Sequence, residues 1–344
     1  MAATILEQQG RKRGRAILRR SLFCAIIATF QAWDGNMGIT QDTAMKKAAI
    51  VGIVGRTNAG KSTLVNALVG EKVSIVSPVE QTTRNTVRGI VSDPRGQLVL
   101  VDTPGLHKAE GPLGKLLNGM ARASSAGTDI LCVVFDASNA PQIEDEGWMA
   151  RVAREKPAKC VFVLNQCDKS PFFETMYRDS WAATQNASEI SPVWVKASAK
   201  TGEGLPSLSD ILYGMAEVGP ALFDDDIVTD YPRKLAIADV VREKLLSRLF
   251  QEIPHEIGVA VKDIAERKGA WDVSVSIYVN KPSQKGMVIG ARGSTLKYAR
   301  KAAEPELSEM FGVKVRLELW VKVEQNWMKN DRLLAEMGYK GALV

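Results

Sequence analysis

The sequence has few of the residues that build metal centres and disulfide frameworks. Its 344 residues include four cysteines and two histidines, and no two cysteines form a C-x-x-C pair. A disulfide scaffold needs paired cysteines, a zinc site needs several cysteine or histidine ligands, and a serine–histidine triad needs a histidine base. The composition therefore argues against all three sites, and it favours buried thiols in a reducing compartment.

Long apolar runs are also missing. Residues 22–30, LFCAIIATF, are too few to cross a bilayer, and they follow RKRGRAILRR, which holds six basic residues and no acid. We expect residues 1–45 to be a basic extension read from a start codon upstream of Met45, with an organellar transit peptide or a poor signal peptide as alternatives. The expected location is cytoplasmic, or a mitochondrion or plastid if the extension is a transit peptide.

The remaining composition is that of a two-domain globular protein. Hydrophobic residues make up 45% and charged residues 24%, and the net charge of +6 is a weak sign of a polyanionic partner. Three consecutive aspartates with nearby glycine and proline indicate a linker at 216–230. We predict an α/β domain over 46–215, with a mostly parallel sheet and helices on both faces. A smaller α+β domain over 231–328 and a C-terminal tail over 329–344 follow.

A phosphate-binding loop opens the first domain. AAIVGIV, residues 48–54, predicts a buried strand, GRTNAGKST follows at 55–63, and LVNALVG then has helical spacing. In G-x-x-x-x-G-K-S the glycines let backbone N–H groups surround the phosphates, while the lysine reaches the outer phosphates and the serine ligates magnesium. The predicted nucleotide contacts here are Gly55, Asn58, Ala59, Gly60, Lys61, Ser62 and Thr63.

Two further segments predict a response to the third phosphate. In VDTPG, Asp102 ends a strand and can hold magnesium through water, and the Gly105 N–H can sense the third phosphate. The polar residues 77–89 include Thr83, with Thr82 as the alternative, which can contact magnesium and that phosphate as a switch; a solvated loop is the other interpretation. We therefore assign Lys61, Thr83 and Gly105 to catalysis, and Ser62, Thr83 and Asp102 to magnesium.

The stretch VFVLNQCD predicts the choice of base. Asp168 can accept hydrogen bonds from two guanine donors that adenine lacks, which discriminates by about 10⁴-fold, and Asn165 braces the neighbouring loops. SAKTGEG adds Ser198 and Ala199, whose N–H can meet the guanine carbonyl. Gln166 stands where N-K-x-D sites carry lysine. Because glutamine has a shorter stem and no charge, we predict guanine specificity with weaker affinity.

The second domain carries a candidate nucleic-acid clamp. Residues 281–301 contain six basic residues and no acid, around a G-A-R-G turn that precedes a predicted helix. Such a turn permits close approach to a single-stranded backbone, with the helix dipole and cations on the phosphates. A plain helix-entry turn is the alternative. The predicted RNA contacts are Lys285, Gly286, Ile289, Gly290, Ala291, Arg292, Gly293 and Lys297.

These motifs together resemble a known family. The ordered set GRTNAGKS, QTTR, DTPG, NQCD and SAK resembles the translation-factor-like class of small GTPases. QTTR, DTPGLH, EIPHEIGVAV and SQKGMVIGARGSTLK resemble the Era family over residues 46–328. The resemblance implies a GTPase joined to a type II KH domain, binding GTP or GDP with Mg²⁺, and K⁺ at Asn58. It also implies a monomer that binds the 3′ end of small-subunit (16S) ribosomal RNA, acts in maturation of the small ribosomal subunit and contacts membranes peripherally.

Three residues depart from these patterns. Leu106 replaces the water-orienting glutamine of Ras-like proteins, which predicts slow intrinsic hydrolysis. Pro305 predicts a kink or a new helix start, and Glu304 stands where a base is expected, which predicts weaker RNA binding on that side. Leu106 and Gln166 leave an RNA-binding assembly checkpoint with vestigial GTPase activity as the alternative function. A tandem GTPase such as Der would need a second P-loop, and this chain has one.

Overall fold

The computed structural model of the protein describes residues 46–77, 82–105, 117, 119, 127–185, 187–250 and 252–339. The predicted extension over 1–45, Leu106 and the last residues of the predicted tail lie outside these ranges. Within them, no helix combines the length and the apolar character needed to cross a bilayer.

The first domain is built on a largely parallel sheet in the order β2–β3–β1–β4–β5–β6. Strands β3, β1, β4, β5 and β6 run parallel, and β2 is antiparallel to β3. A short β7 pairs antiparallel with the start of β1, so the segment predicted as a linker begins as part of this sheet. The strands are β1 Lys46–Val54, β2 Val87–Asp93, β3 Gly96–Asp102, β4 Ile130–Asp136, β5 Cys160–Asn165, β6 Val193–Lys196 and β7 Glu217–Gly219.

Helices pack on both faces of this sheet. Helices α1 and α4 bury Leu64, Leu208 and their neighbours against one face, and α2 and α3 bury Trp148, Tyr177 and theirs against the other. The central strands read as continuous apolar runs because both of their faces are covered. The helices are α1 Lys61–Val69, α2 Ile143–Glu155, α3 Glu174–Ala183 and α4 Leu205–Met215.

This topology brings the predicted motifs to one edge. Strands β3 and β4 lie on opposite sides of β1, and the loops after β1, β3, β4 and β5 leave from the carboxyl end of the sheet. The crevice beside such a reversal of strand order is where open α/β sheets bind ligands. The fold class predicted for this domain is confirmed.

The second domain is a three-stranded sheet in the order β10–β9–β8, with helices on one face. Strands β9 and β10 are parallel, and β8 and β9 are antiparallel. The last described residues, from Trp327 to Tyr339, pack on the other face against Ala260 and Tyr278. The elements are α5 Arg233–Leu246, α6 Ile253–Glu256, β8 Gly258–Arg267, β9 Ala270–Val279, α7 Pro282–Ile289, α8 Ser294–Phe311, β10 Lys314–Val323 and α9 Asp331–Glu336.

Pro305 does not divide α8, which runs continuously over 18 residues. Because Pro305 is exposed, water can hydrate the carbonyl that its missing N–H leaves unpaired. The preceding residue also has a structural partner, since the Glu304 carboxylate accepts a hydrogen bond from the Leu317 N–H at 2.8 Å. Glu304 therefore joins α8 to β10.

Candidate nucleotide site and nucleic-acid interface

A cavity of about 520 Å³ lies at the carboxyl edge of the first sheet. Most of the residues predicted to bind nucleotide line it, and three do not. Gly55, Ala59 and Asp102 are buried and do not line the cavity. The predicted residues on the wall are Asn58, Gly60, Lys61, Ser62, Thr63, Thr83, Gly105, Asn165, Asp168, Ser198 and Ala199.

The loop before α1 has the conformation that its sequence predicts. Gly60 has φ of +90°, and a Cβ there would lie 2.3 Å from the Asn165 amide nitrogen. Gly55 likewise meets the Val134 carbonyl, where a Cβ would stand 2.3 Å from the oxygen. Glycine at these two positions therefore permits close approach of the loop to the strands beside it.

Lys61 is held in this loop, and no carboxylate among the described residues forms an ion pair with its ammonium. Its side chain is buried, and Nζ donates to the Arg56 carbonyl at 2.7 Å. Burial lowers the pKa of Lys61 to about 8, against the opposing charge of Asp102. An anion beside this ammonium would relieve the desolvation, so the loop favours phosphate. The Gly105 backbone lies close by, since a Cβ there would stand 2.9 Å from Nζ.

Arg56 is a positioning residue that the sequence did not reveal. Its guanidinium bonds Asp136 at 3.0 Å and Asp145 at 3.1 Å, and all three side chains are buried. The Tyr177 hydroxyl also donates to Asp145, at 3.2 Å. This network ties the phosphate loop to β4 and α2. The acids are far from Arg56 in sequence, so only the position of Asp136 at a strand end hinted at a role.

The predicted magnesium ligands converge on one point. The Ser62 and Thr83 hydroxyls are 2.8 Å apart, and Asp102 is fully buried at the end of β3. Neither Asp102 oxygen has a hydrogen-bond partner among the described residues. Burial raises the pKa of Asp102, and the nearby Ser62 hydroxyl and Lys61 ammonium oppose that rise. Two hydroxyls beside a buried carboxylate with unused oxygens fit a hydrated Mg²⁺.

The base-binding loops are joined through Asn165. Its amide nitrogen donates to the Ala59 carbonyl at 2.9 Å, and its oxygen accepts from the Ala199 N–H at 3.0 Å. Asp168 is exposed at the cavity, and a hydrogen bond from Ser198 is the main factor that lowers its pKa. Asp168 is therefore a carboxylate acceptor at neutral pH, as selection of guanine requires.

The segment with Thr83 connects the cavity to the second domain. Residues 82, 84 and 85 are buried, so this part of the loop is not solvated. The Thr82 carbonyl accepts from Arg242 of α5 at 2.5 Å, while the Arg84 guanidinium donates to carbonyls at the end of α6. Asn85 donates to the Tyr231 hydroxyl and to the Met337 carbonyl. The segment therefore faces the nucleotide site through Thr83 and the second domain through its neighbours.

A second set of contacts joins the domains beside α1. The Lys72 ammonium lies 2.7 Å from Glu243 of α5 and 2.6 Å from Glu306 of α8, and Lys244 also bonds Glu306. Ile75 is buried in the core of the second domain. Glu306 of α8 thus serves the domain interface.

The predicted RNA contacts lie on and around the turn between α7 and α8: residues 290–293 form the turn, Lys285, Gly286 and Ile289 belong to α7, and Lys297 belongs to α8. Ile289 packs partly against the core of the domain. Gly290 and Gly293 have φ of +73° and +75°, and Arg292 between them has φ of +50°. A Cβ on Gly290 would meet the Thr295 hydroxyl at 2.4 Å. Strained backbone at an exposed turn marks functional loops, and the free N-terminus of an 18-residue helix favours phosphate. The exposed cations of this set are Lys285, Arg292 and Lys297.

Comparison with known proteins agrees with this geometry. A 50S ribosome-binding GTPase family model matches residues 50–166, and a KH domain model matches residues 252–328. GTPase Era of Nostoc sp. is 38% identical over 307 residues, covering 89% of this chain and 94% of that protein. GTPase Era of Geobacter sp. is 38% identical over 296 residues, covering 86% and 98%.

Solved structures give the same result over the whole two-domain body. Aquifex aeolicus Era bound to GDP and AlF₄⁻ has a TM-score of 0.79 and 31% identity, covering 85% of this chain and 99% of that chain. Era in complex with MgGDPNP and nucleotides 1506–1542 of 16S ribosomal RNA has the same score and identity, covering 86% and 99%. With its P-loop domain followed by a KH domain, the chain belongs to the Era family of GTPases.

Proposed function

We propose that this protein is a GTP-hydrolysing switch that binds the 3′ end of 16S ribosomal RNA through its KH domain and acts in biogenesis of the small ribosomal subunit. The observation that carries the proposal is the segment 82–85, which contacts the nucleotide cavity on one side and the KH domain on the other. The proposal extends to a cytoplasmic monomer with peripheral membrane contact.

The nucleotide chemistry is assigned to the cavity residues. Lys61 would meet the outer phosphates, and Asp168 would accept the two guanine donors. Mg²⁺ would be held by Ser62, Thr83 and Asp102, and it would neutralise charge on the phosphate oxygens when bound. Asn58, which lines the cavity with φ of +59°, is the proposed K⁺ ligand.

Thr83 gives the switch its dependence on the third phosphate. In the structure its hydroxyl bonds Ser62, one residue from Lys61. A third phosphate and its metal would compete for both hydroxyls and fix the loop in one position. Because Thr82 and Arg84 are bonded to α5 and α6, movement of Thr83 changes contacts of the KH domain. The KH surface is thereby biased by the state of the nucleotide.

The RNA contact is assigned to the turn between α7 and α8. The similar Era structure holds a GTP analogue and 16S ribosomal RNA in one complex, which supports the GTP state as the RNA-binding state. Backbone amides of Gly290 to Gly293 and the dipole of α8 would meet phosphates, with exposed Arg292 beside them.

Single-turnover hydrolysis of GTP with and without the 3′-end RNA tests the proposal. We expect a slow basal rate that RNA changes, and Lys61→Ala should abolish both rates. Arg292→Asp should remove the response to RNA while leaving the basal rate intact, because no residue of the turn lines the cavity. A basal rate of zero in the unmodified protein would instead favour an RNA-binding checkpoint with a vestigial GTPase site.

A further inference from the structure

Position 166, at the rim of the nucleotide cavity, holds a glutamine and so lacks the positive charge that a lysine would carry there. It occupies the lysine position of N-K-x-D and has φ of +66°, so its side chain starts from a left-handed backbone. Gln166, Asp168 and Lys169 all line the cavity. Lys169 therefore places a cation three residues from position 166, and Lys200 is another cation on the lining.

A tight turn folds Lys169 back over Gln166. The Lys169 N–H donates to the Gln166 carbonyl at 3.0 Å, which closes a four-residue turn. The Lys169 ammonium then donates to Gln166 Oε1, and the Ser138 hydroxyl reaches the same oxygen at 3.4 Å. An amide oxygen can accept both bonds, whereas a lysine at 166 would offer only donors and would repel Lys169.

We propose that Lys169 is an affinity-determining residue of the guanine site, which replaces the missing N-K-x-D lysine. Gln166 holds the ammonium at the rim beside Asp168, where it offers a positive charge and an aliphatic stem to the bound nucleoside. The inference rests on nucleotide binding at this cavity. Gln166 and Lys169 then act together to set the affinity for the nucleotide.

The expected contribution is modest because Lys169 is exposed. Exposed charge pairs contribute about 0.2–1 kcal/mol. The Lys169 ammonium would meet the polar edge of an uncharged nucleoside, so its effect should not exceed this range, at most about a 5-fold change in affinity, and salt reduces it. An exposed lysine with no partner at the site would contribute less. The test must therefore compare variants within a double-mutant cycle and not rely on one substitution.

The experiment measures GDP affinity of the full chain with a fluorescent GDP analogue in magnesium buffer at low and high salt. Lys169→Met keeps the stem and removes the charge, and we expect affinity to fall about 2- to 5-fold at low salt. Gln166→Lys should tighten binding, and Lys169→Met should cause no further loss in that background. Lys159→Met is the matched control, since Lys159 precedes β5 at its opposite end and bonds Glu217.

Three outcomes would overturn the inference. The first is an equal loss from Lys169→Met in both backgrounds, because the two side chains would then act independently. The second is a loss no larger than that of Lys159→Met. The third comes from GTP as a second probe: equal losses for GTP and GDP are expected of a nucleoside contact, and a larger loss for GTP would mean long-range attraction of phosphate instead. Failure of the unmodified protein to bind GDP would instead overturn the proposed function itself.

Discussion

Arg84→Met should weaken the contact between the two domains without damaging the nucleotide cavity. The Arg84 guanidinium is fully buried and donates to the Ile257 carbonyl at 2.8 Å, to the His255 carbonyl at 3.1 Å and to the Pro254 carbonyl at 3.4 Å. These carbonyls lie at the end of the four-residue helix α6, where helical partners are missing. Methionine keeps much of the stem but donates to none of them.

The size of the effect follows from the bonds that are lost. Two of the three bonds are short, and each carbonyl left buried without a donor costs about 1–3 kcal/mol. Repulsion between two arginines opposes this loss. Burial lowers the pKa of Arg242 to about 10, and the positive charge of nearby Arg84 lowers it further. Removing one of two neighbouring buried cations relieves repulsion. The net loss in the free energy of unfolding should be about 2–3 kcal/mol.

Denaturant unfolding followed by tryptophan fluorescence measures this loss, since both domains contain buried tryptophans. Arg88→Met is the matched control. Arg88 belongs to the same stretch of chain, but its ion pair with Asp230 is exposed and should contribute less than about 1 kcal/mol. GDP affinity should change little in either variant. If Arg84→Met is no more destabilising than Arg88→Met, the bonds from Arg84 to α6 do not hold the domains together.

Three further predictions follow from single side chains. Asp168→Asn should weaken GDP binding by about 10²- to 10⁴-fold and shift preference toward a xanthine nucleotide, which offers a carbonyl where guanine has its amine. Competition between the two nucleotides would measure this shift, and unchanged GDP affinity would contradict the role of Asp168. Partial burial acts to raise the pKa of Glu306, but hydrogen bonds from two lysines lower it below its ordinary value of 4.5. Its stabilisation of the domain interface should therefore be complete above pH 4.5 and lost as the pH falls through the lower pKa that Glu306 has in the folded protein. Glu306→Gln should flatten the acid side of the curve of unfolding free energy against pH, and an unchanged curve would refute this role of Glu306. Burial raises the pKa of Cys132, and it raises that of Cys160 to about 12. In the folded protein, alkylation at pH 8 followed by mass spectrometry should modify half-buried Cys167 before either, and fast modification of Cys160 would contradict the buried strand.

The nucleotide cavity could be predicted from sequence because most of the residues that line it belong to short contiguous motifs. A glycine loop between a buried strand and a helix has one geometry, so the conformation of Gly60 and the position of Lys61 follow from local rules. The motifs of β3 and β5 reach the same edge because parallel strands carry their loops there. The domain order and the exposed G-A-R-G turn follow for similar reasons.

The contacts between domains could not be predicted, because they depend on long-range packing. In the sequence, Arg84 is one of several polar residues in a loop. Nothing nearby in the sequence indicates that it donates hydrogen bonds to carbonyls at the end of α6. The same holds for Arg56 and its two buried acids. At Pro305 the local rule predicted a break, but α8 continues because Leu307 and Ala303 on either side are anchored in the core.

The nucleotide bound in the first domain should set the RNA affinity of the KH domain. Fluorescence anisotropy of a labelled RNA with the 3′-end sequence of 16S ribosomal RNA would measure it directly, with the full chain saturated with a non-hydrolysable GTP analogue or with GDP. Arg292→Asp is the control for specific contact at the G-A-R-G turn. We predict tighter RNA binding with the GTP analogue than with GDP. Equal affinity in the two nucleotide states would contradict a switch that acts through the segment 82–85.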